Sequence, residues 1–302
     1  MFPHAAAQPM LLPALALTLN ALVWGTSWWP FRQLESLGLH PLWTTVLVYG
    51  LSASLIAAHW PGAIAQVLRT PALWVLVLAS GATNAAFNWA VVIGDVVRVV
   101  LLFYLMPLWT VLLARTVLKE PLTRGAGVRV LLALAGAAVV LWPVGASGLA
   151  SLPIPRSLPD WLGLLGGFSF ALNNVMLRRE AQRPEEGRAL AMFFGGVLVA
   201  AVLATLLSLN GQVPWPPAVA SRWVLVVLAL AALFLVGNLA LQFGAARLPA
   251  NVTSVVMLTE VVFASASALA WGGGELTAQL LLGGGLIVLA ALLAAFEPGA
   301  SP

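Results

Sequence analysis

The chain has 302 residues, of which 61% are hydrophobic and 8% are charged, and its mean hydropathy is +0.99. A soluble core of this length cannot bury so much apolar surface, so the composition predicts a protein whose solvent is the lipid bilayer. The isoelectric point near 10.6 reflects membrane topology, because the 14 Lys and Arg residues lie near the ends of apolar stretches. The absence of cysteine excludes disulfides and thiolate metal sites.

Ten stretches of mainly apolar residues follow one another, each long enough to cross the hydrocarbon core as an α-helix. They are predicted over 10–31, 42–60, 72–93, 97–118, 126–143, 160–177, 189–209, 222–243, 250–271 and 277–296. We therefore expect an all-α polytopic membrane protein with ten transmembrane helices. The first stretch is interpreted as a retained helix, since no Lys or Arg precedes Arg32 and the run is too long for a signal peptide.

The distribution of basic residues among the loops predicts the topology. If the N-terminus is cytoplasmic, the inside loops hold ten Lys and Arg residues and the outside loops hold four. Because cytoplasmic loops carry the excess of positive charge, both termini are predicted to be cytoplasmic. The four outside residues are Arg32, Arg98, Arg156 and Arg222. Since Arg98 follows Asp95 by three residues, a local ion pair between them is expected.

The ten stretches divide into two groups of five. Residues 143–159, rich in Pro, Gly and Ser, separate the groups, which predicts a first repeat over 1–145, a linker over 146–159 and a second repeat over 160–302. Because five is odd, the second repeat enters the membrane from the opposite side. Inverted repeats of this kind are typical of secondary transporters, whose substrate site lies near the midplane.

When the sequence is aligned with itself at an offset of 154 residues, one pair of amide side chains coincides with another pair. Asn84 and Asn88 fall on Asn238 and Gln242, and within each pair the spacing of four puts both side chains on one face of a helix. These pairs are predicted to face each other across a cavity between the third and eighth helices. The alternative is that the amides hydrogen-bond neighbouring helices as packing contacts.

Several motifs resemble those of a known family. Trp24-Gly25-Thr26-Ser27 lies in the first predicted helix, Pro107 stands thirteen residues before Glu120, and Glu260 leads into VVFASASALAWGGGELT. With ten stretches in two groups of five, the chain resembles the EamA-type drug/metabolite transporter superfamily, and within it the bacterial YddG-type exporters of aromatic amino acids. The sequence departs from the family at Val261, where a proline is usual, and in the additional glycine before Glu275.

The resemblance implies a bacterial inner-membrane exporter of aromatic and other neutral amino acids. Further candidate substrate-binding residues are Trp24, Ser27, Tyr104, Asn173, Asn174 and Glu260. Glu260, a carboxyl group near the middle of a predicted span, has three possible roles: proton coupling, contact with a substrate amine, or structural pairing. Pro30 and Pro107 are candidate hinges. The alternative for Pro107 is a static kink in the fourth helix, and the alternative for Pro30 is that it only ends the first helix.

Absent motifs narrow the function. There is no P-loop, no HExxH, no GxSxG and no His or acidic cluster with metal-ligand spacing, so neither an enzyme nor a bound cofactor or metal is predicted. A carrier of sugar phosphates would place several cations at the centre of the membrane, whereas here they lie at span ends.

We therefore predict a monomeric or weakly dimeric secondary transporter that exports small neutral or zwitterionic metabolites by alternating access. Its expected partners are the small-molecule substrate and the lipid bilayer, and no nucleic acid. The alternatives are a multidrug exporter of lipophilic cations, with Glu260 as the anionic partner, and a membrane scaffold that transports nothing.

Overall fold

The computed structural model describes residues 11–119, 124–142, 154–180, 182–218, 221–245, 256–257 and 259–295. Within these ranges the chain is helical and contains no β-strand. The helices are α1 (Leu11–Thr26), α2 (Trp28–Ser36), α3 (Pro41–His59), α4 (Gly62–Arg69), α5 (Pro71–Ile93), α6 (Val96–Phe103), α7 (Met106–Leu113), α8 (Arg124–Leu141), α9 (Leu158–Arg179), α10 (Glu185–Leu209), α11 (Ser221–Ala245), α12 (Thr259–Trp271) and α13 (Ala278–Ala295), with a π-helical turn over Ala114–Leu118.

Each of the ten apolar stretches overlaps at least one of these helices. Six segments of the described chain are long and apolar enough to cross a membrane: Leu11–Ser36, Pro41–His59, Pro71–Ile93, Val96–Leu118, Glu185–Leu209 and Arg222–Leu241. Shorter apolar helices cover Val130–Val140 and Ala278–Ala290. Large apolar side chains such as Leu165, Leu206, Leu225 and Leu282 are exposed on the surface of the bundle, as expected where lipid replaces water. The fold is that of a polytopic membrane protein, and the number of ten spans stays a prediction.

Two of the predicted spans are each broken into two helices close to a proline. Helix α1 ends at Thr26, four residues before Pro30, and α6 ends at Phe103, four residues before Pro107. A proline has no N–H to offer the carbonyl four residues earlier, and its ring crowds that carbonyl. Regular helical hydrogen bonding is therefore interrupted near both prolines, where the N–H groups of Ser27 and Leu105 bond to carbonyl oxygens three residues earlier, at Trp24 and Leu102. The Pro107 side chain itself lies outside the described part.

Helix α5 is the most buried of the six candidate spans and packs between α9 and α10. Its contact with α10 is backbone to backbone at Gly81 and Gly195, where a β-carbon on either glycine would overlap the opposite helix. Helices α8 and α13 touch in the same way: a β-carbon on Gly136 would lie 2.6 Å from the carbonyl oxygen of Gly283. Small residues at these positions let the helix axes approach closely.

One end of the bundle is closed by an ion pair between helices. The guanidinium of Arg98 at the start of α6 binds both carboxylate oxygens of Asp160 at the start of α9, at 2.7 and 3.1 Å, and donates to the carbonyl oxygen of Val140 at 2.7 Å. The expected ion pair between Arg98 and Asp95 is therefore wrong. The Asp95 carboxylate instead accepts the backbone N–H of Arg98, as an N-terminal cap of α6, and that of Glu275.

Two further side chains tie the same end together. Arg32 in α2 donates to the carbonyl oxygen of Gly94 at 2.6 Å and lies 3.4 Å from that of Gly273, while Gln279 in α13 donates to the carbonyl oxygens of Val139 and Trp142. These bonds satisfy carbonyl groups that the helix ends leave free. The polar end network consists of Arg32, Asp95, Arg98, Asp160 and Gln279.

The glycine contact between α5 and α10 predicts a large penalty for a single methyl group. We expect Gly195→Ala to lower the free energy of unfolding by about 1–3 kcal/mol, because the methyl overlaps the Val77 backbone. The midpoint of thermal unfolding in detergent measures the effect. Gly285→Ala is the matched control, since a β-carbon there meets no atom within 4 Å. An equal midpoint for the two variants would contradict the tight contact.

The ion pair at the end of the bundle makes a second prediction. Arg98→Gln leaves the Asp160 side chain, which is only 4% exposed, without its cation, and we expect a loss of about 1–3 kcal/mol. The double variant with Asp160→Asn should regain part of that loss, since no unpaired charge remains. Arg183→Gln is the control, because the Arg183 side chain is exposed and Glu180 keeps Arg179 as a second cation at 3.6 Å. Equal losses in the single and double variants would refute the pairing.

Candidate functional site

A cavity lies among the helices, and residues of α1, α3, α5, α6, α9, α10, α11 and α12 line it. About 730 Å³ of space free of protein atoms lies between these residues, a volume that includes open solvent. Its lining positions lie well inside the helices: Asn84 is ten residues, or about 15 Å, from Gly94 at the polar end network. The cavity therefore lies inside the bundle, beneath the end that the ion pair closes.

Seven of the 17 described residues that line the cavity are aromatic. Trp24 stacks on Phe234 with ring centroids 4.7 Å apart and an interplanar angle of 24°, and Phe87 meets Phe103 edge to face at 4.9 Å. The aromatic lining residues are Trp24, Tyr49, Phe87, Phe103, Phe170, Phe193 and Phe234. Trp24 is at the cavity, where the sequence placed it. The other lining aromatics were missed, because the sequence offers 13 Trp and 12 Phe with no signal to choose among them.

Four asparagines supply most of the polar lining: Asn20, Asn84, Asn173 and Asn238. Asn84 has its hydrogen bonds satisfied within the protein, since it accepts the Tyr49 hydroxyl at 2.6 Å and donates to the Ser80 carbonyl oxygen at 2.8 Å. Asn84 and Asn238 thus lie at one cavity, as the coincidence of the two amide pairs predicts. Asn20 was not predicted as a site residue, although a lone amide in the first apolar stretch is a usable signal.

Asn20 and Asn173 are buried and incompletely hydrogen-bonded. Asn20 Nδ2 donates to the carbonyl oxygen of Gly237 at 2.9 Å, and Asn173 Nδ2 lies 3.4 Å from Asn174 Oδ1. The Oδ1 atoms of Asn20 and Asn173 have no hydrogen-bond partner, although the two side chains are 0% and 2% exposed. A buried acceptor without a partner is costly, and both residues line the cavity.

Other predicted amides lie elsewhere. Asn88 is 1% exposed and donates to the Thr45 hydroxyl at 3.0 Å, so it packs α5 against α3 and does not line the cavity. Asn174 does not line it either, and its Nδ2 lies 3.8 Å from the sulfur of Met106. The side chain of Gln242 lies outside the described part. Asn88 was expected to line the cavity. It instead makes a packing contact with a neighbouring helix, which is the alternative that the sequence left open.

Glu260 lines the cavity near the start of α12 and is 6% exposed. The Tyr104 hydroxyl donates to Glu260 Oε2 at 3.1 Å and lies 3.0 Å from the carbonyl oxygen of Met257. Tyr104 is therefore behind the lining, where it positions the carboxylate. Ser27 is also behind it, with its hydroxyl donating to the carbonyl oxygen of Trp24 at 2.9 Å. Among the described lining residues, Glu260 is the single ionisable acid and no Lys or Arg is present.

The break between α1 and α2 is held against α12. A β-carbon on Gly25 would lie 2.8 Å from the Phe263 β-carbon and 2.9 Å from the carbonyl oxygen of Glu260. The Ser267 hydroxyl accepts the Trp28 indole N–H at 2.9 Å and lies 3.1 Å from the Gly25 carbonyl oxygen. The segment that carries Trp24 and the segment that carries Glu260 thus share one tight joint.

Comparisons with known proteins agree with this architecture. Residues 11–142 match the EamA-like transporter family, a region that covers the first predicted repeat and less than half of the chain. No curated protein matches the sequence. A solved structure titled "Crystal structure of protein" has 20% sequence identity and a TM-score of 0.58, over 93% of this chain and 96% of that one. At that identity the likeness concerns the fold alone. The family match supports the drug/metabolite transporter superfamily and a membrane transporter.

Proposed function

We propose that the protein is a secondary transporter that exports small neutral or zwitterionic metabolites, foremost aromatic amino acids, by alternating access through the cavity. The observation that carries the proposal is the composition of the lining: seven aromatic rings and four asparagines, with no basic side chain among the described lining residues. Aromatic rings receive an apolar or aromatic side chain, and amides offer both donors and acceptors to a zwitterion. Phosphorylated solutes would need the Arg or Lys contacts that this lining lacks.

The arrangement of the helices supports inverted repeats over 1–145 and 160–302, joined by a linker over 146–159. The four asparagines come from α1, α5, α9 and α11, which correspond to the first and third predicted spans of each half. Contacts also occur in matched sets: α1 packs on α12 and α6 packs on α9, so each first span meets the fourth span of the other half. An inverted two-fold axis produces this pattern.

The same two-fold axis explains the contact between α8 and α13, which correspond to the fifth predicted span of each half. A β-carbon on Gly136 would lie 2.6 Å from the Gly283 carbonyl oxygen, and one on Gly283 would lie 2.8 Å from the Gly136 carbonyl oxygen. Each glycine thus faces the backbone of the other, as expected for two residues related by a two-fold axis.

The polar end network and the two proline breaks suggest how the cavity could open alternately to the two sides of the membrane. By the distribution of basic residues the network lies on the outer side of the bacterial inner membrane, and both termini are cytoplasmic. The described conformation is then closed toward the outside by Arg98 and Asp160. We propose that Pro30 and Pro107 serve as hinges, because helical hydrogen bonding is already interrupted four residues before each of them.

Flux measurements test the proposal directly. Purified protein in liposomes should transport labelled tryptophan or phenylalanine. Trp24→Ala should raise the apparent KM for these solutes about 3- to 10-fold, because stacking against an aromatic ring is worth about 0.5–1.5 kcal/mol. Trp60→Ala is the control, since Trp60 is exposed outside the cavity. Absence of flux for every neutral amino acid would refute the proposed function, and an unchanged KM for Trp24→Ala would refute the role of that residue.

A second candidate function, export of lipophilic cations, is favoured by the single carboxyl group of Glu260 in a cavity without described cations. Here Glu260→Gln should abolish inhibition of flux by a cationic dye, because the unpaired negative charge is lost. If the amino-acid proposal is correct, the dye competes weakly against tryptophan in the parent protein. Strong competition that disappears in Glu260→Gln would favour the cation exporter. Repeating both assays with and without a proton gradient measures the coupling role of Glu260.

A further inference from the structure

We propose that the cavity contains a subsite for a protonated primary amine, formed by Asn20 Oδ1, Asn173 Oδ1 and the carboxylate of Glu260. Solutes that carry an ammonium group would then be preferred over analogues that carry only a carboxylate. The inference rests on the proposed transport function for its biological role. Its physical basis is the hydrogen bonding of the three side chains.

Asn20 presents a free acceptor, because its one hydrogen bond within the protein is made by the amide nitrogen. Its Nδ2 points to the carbonyl oxygen of Gly237 at 2.9 Å, and a carbonyl can only accept a hydrogen bond, so the opposite assignment of nitrogen and oxygen would place two acceptors against each other. The Oδ1 atom is left without a partner in a side chain that is 0% exposed. A protein that leaves this oxygen bare loses the free energy of a hydrogen bond unless a ligand or water supplies the donor.

Asn173 presents a second acceptor from the other half of the chain. Its Oδ1 is also buried without a partner, in a side chain that is 2% exposed, and its Nδ2 faces the Oδ1 of Asn174. Asn84 differs, because its amide oxygen is occupied by the Tyr49 hydroxyl. The position of an asparagine along its helix therefore does not decide whether it binds the solute. That depends on whether its amide oxygen is free to accept a hydrogen bond.

Glu260 completes the set. Tyr104 occupies one of its carboxylate oxygens, and a carboxylate accepts up to about four hydrogen bonds, so capacity remains. An ammonium group has three N–H donors and no acceptor, which matches three acceptors of which one is anionic. The aromatic wall of Trp24 and Phe234 lies in the same cavity and would receive the rest of the solute.

Buried atoms without a partner also occur outside the cavity. Among the described side chains, the remaining buried atoms without a partner belong to Asn88, Trp109 and Arg188, and none of these residues lines the cavity. The two unpartnered lining atoms are both acceptors. A subsite built for a carboxylate would be expected to contain a Lys or Arg, and the described lining contains neither.

Equilibrium binding tests the subsite without relying on transport. Three solutes share an indole ring and differ in charge: tryptamine is a cation at pH 7, tryptophan a zwitterion and indole-3-propionate an anion. Their dissociation constants for the purified full-length protein are measured from the stabilisation that each solute gives against thermal unfolding. We expect tryptamine to bind at least 10-fold more tightly than indole-3-propionate.

The variants separate the subsite from general packing. Asn20→Ala and Asn173→Ala should each weaken tryptamine about 10-fold, the value of one hydrogen bond to a charged group, and leave indole-3-propionate unchanged. Asn173→Asp should retain tryptamine binding, because it keeps the acceptors. Asn88→Ala is the matched control, since it removes a buried unpartnered oxygen that does not line the cavity.

Two outcomes would overturn the inference: equal affinity for the cation and the anion, or variants at Asn20 and Asn173 that weaken all three solutes by the same factor. The second outcome would mean that water satisfies the two oxygens and that the asparagines only pack. If tryptamine binds selectively but no amino acid is transported in liposomes, the subsite stands and the proposed function fails.

Discussion

Contact between helix backbones at glycine is the constraint on which the arrangement of the bundle depends. Lipid tails are as apolar as leucine, so helices in a bilayer gain little from burying leucine against one another, and close packing has to supply the attraction. Gly81 and Gly195 bring α5 and α10 together, and Gly136 and Gly283 do the same for α8 and α13. With α5 fixed between α9 and α10, its polar face is held toward the space that becomes the cavity.

The same contacts explain why the polar groups of the site are beside broken helices. Gly25 packs against the carbonyl oxygen of Glu260, and Gly167 packs against the carbonyl of Phe103, which Pro107 deprives of its helical partner. A broken helix in a membrane is tolerated where a neighbour covers the freed backbone groups. Trp24 precedes one break and Phe103 the other, so both line the cavity at positions where the backbone is closely supported.

The sequence predicted much of the fold because a helix in lipid requires a long apolar run, and such runs are visible without any structure. It predicted the site less well. A spacing of four places Asn84 and Asn88 on one helical face, yet that face meets the cavity at Asn84 and helix α3 at Asn88. Which neighbour a face meets depends on how the helices pack. For the same reason Arg98 was paired with Asp95, although its partner Asp160 is 62 residues away.

Tight joints and interrupted helices together limit how the molecule can move. Glycine contacts hold α1 against α12 and α6 against α9, and separating either pair would expose carbonyl groups to lipid at a cost of several kcal/mol each. A rearrangement that opens the polar end network therefore has to bend these helices while the joints stay closed. The N–H groups of Ser27 and Leu105 already bond three rather than four residues back, and Pro30 and Pro107 leave the carbonyls of Thr26 and Phe103 without a helical N–H partner, so bending there breaks the fewest bonds. Since Tyr104 also holds the carboxylate of Glu260, a change in the α6 break moves the acid that faces the solute.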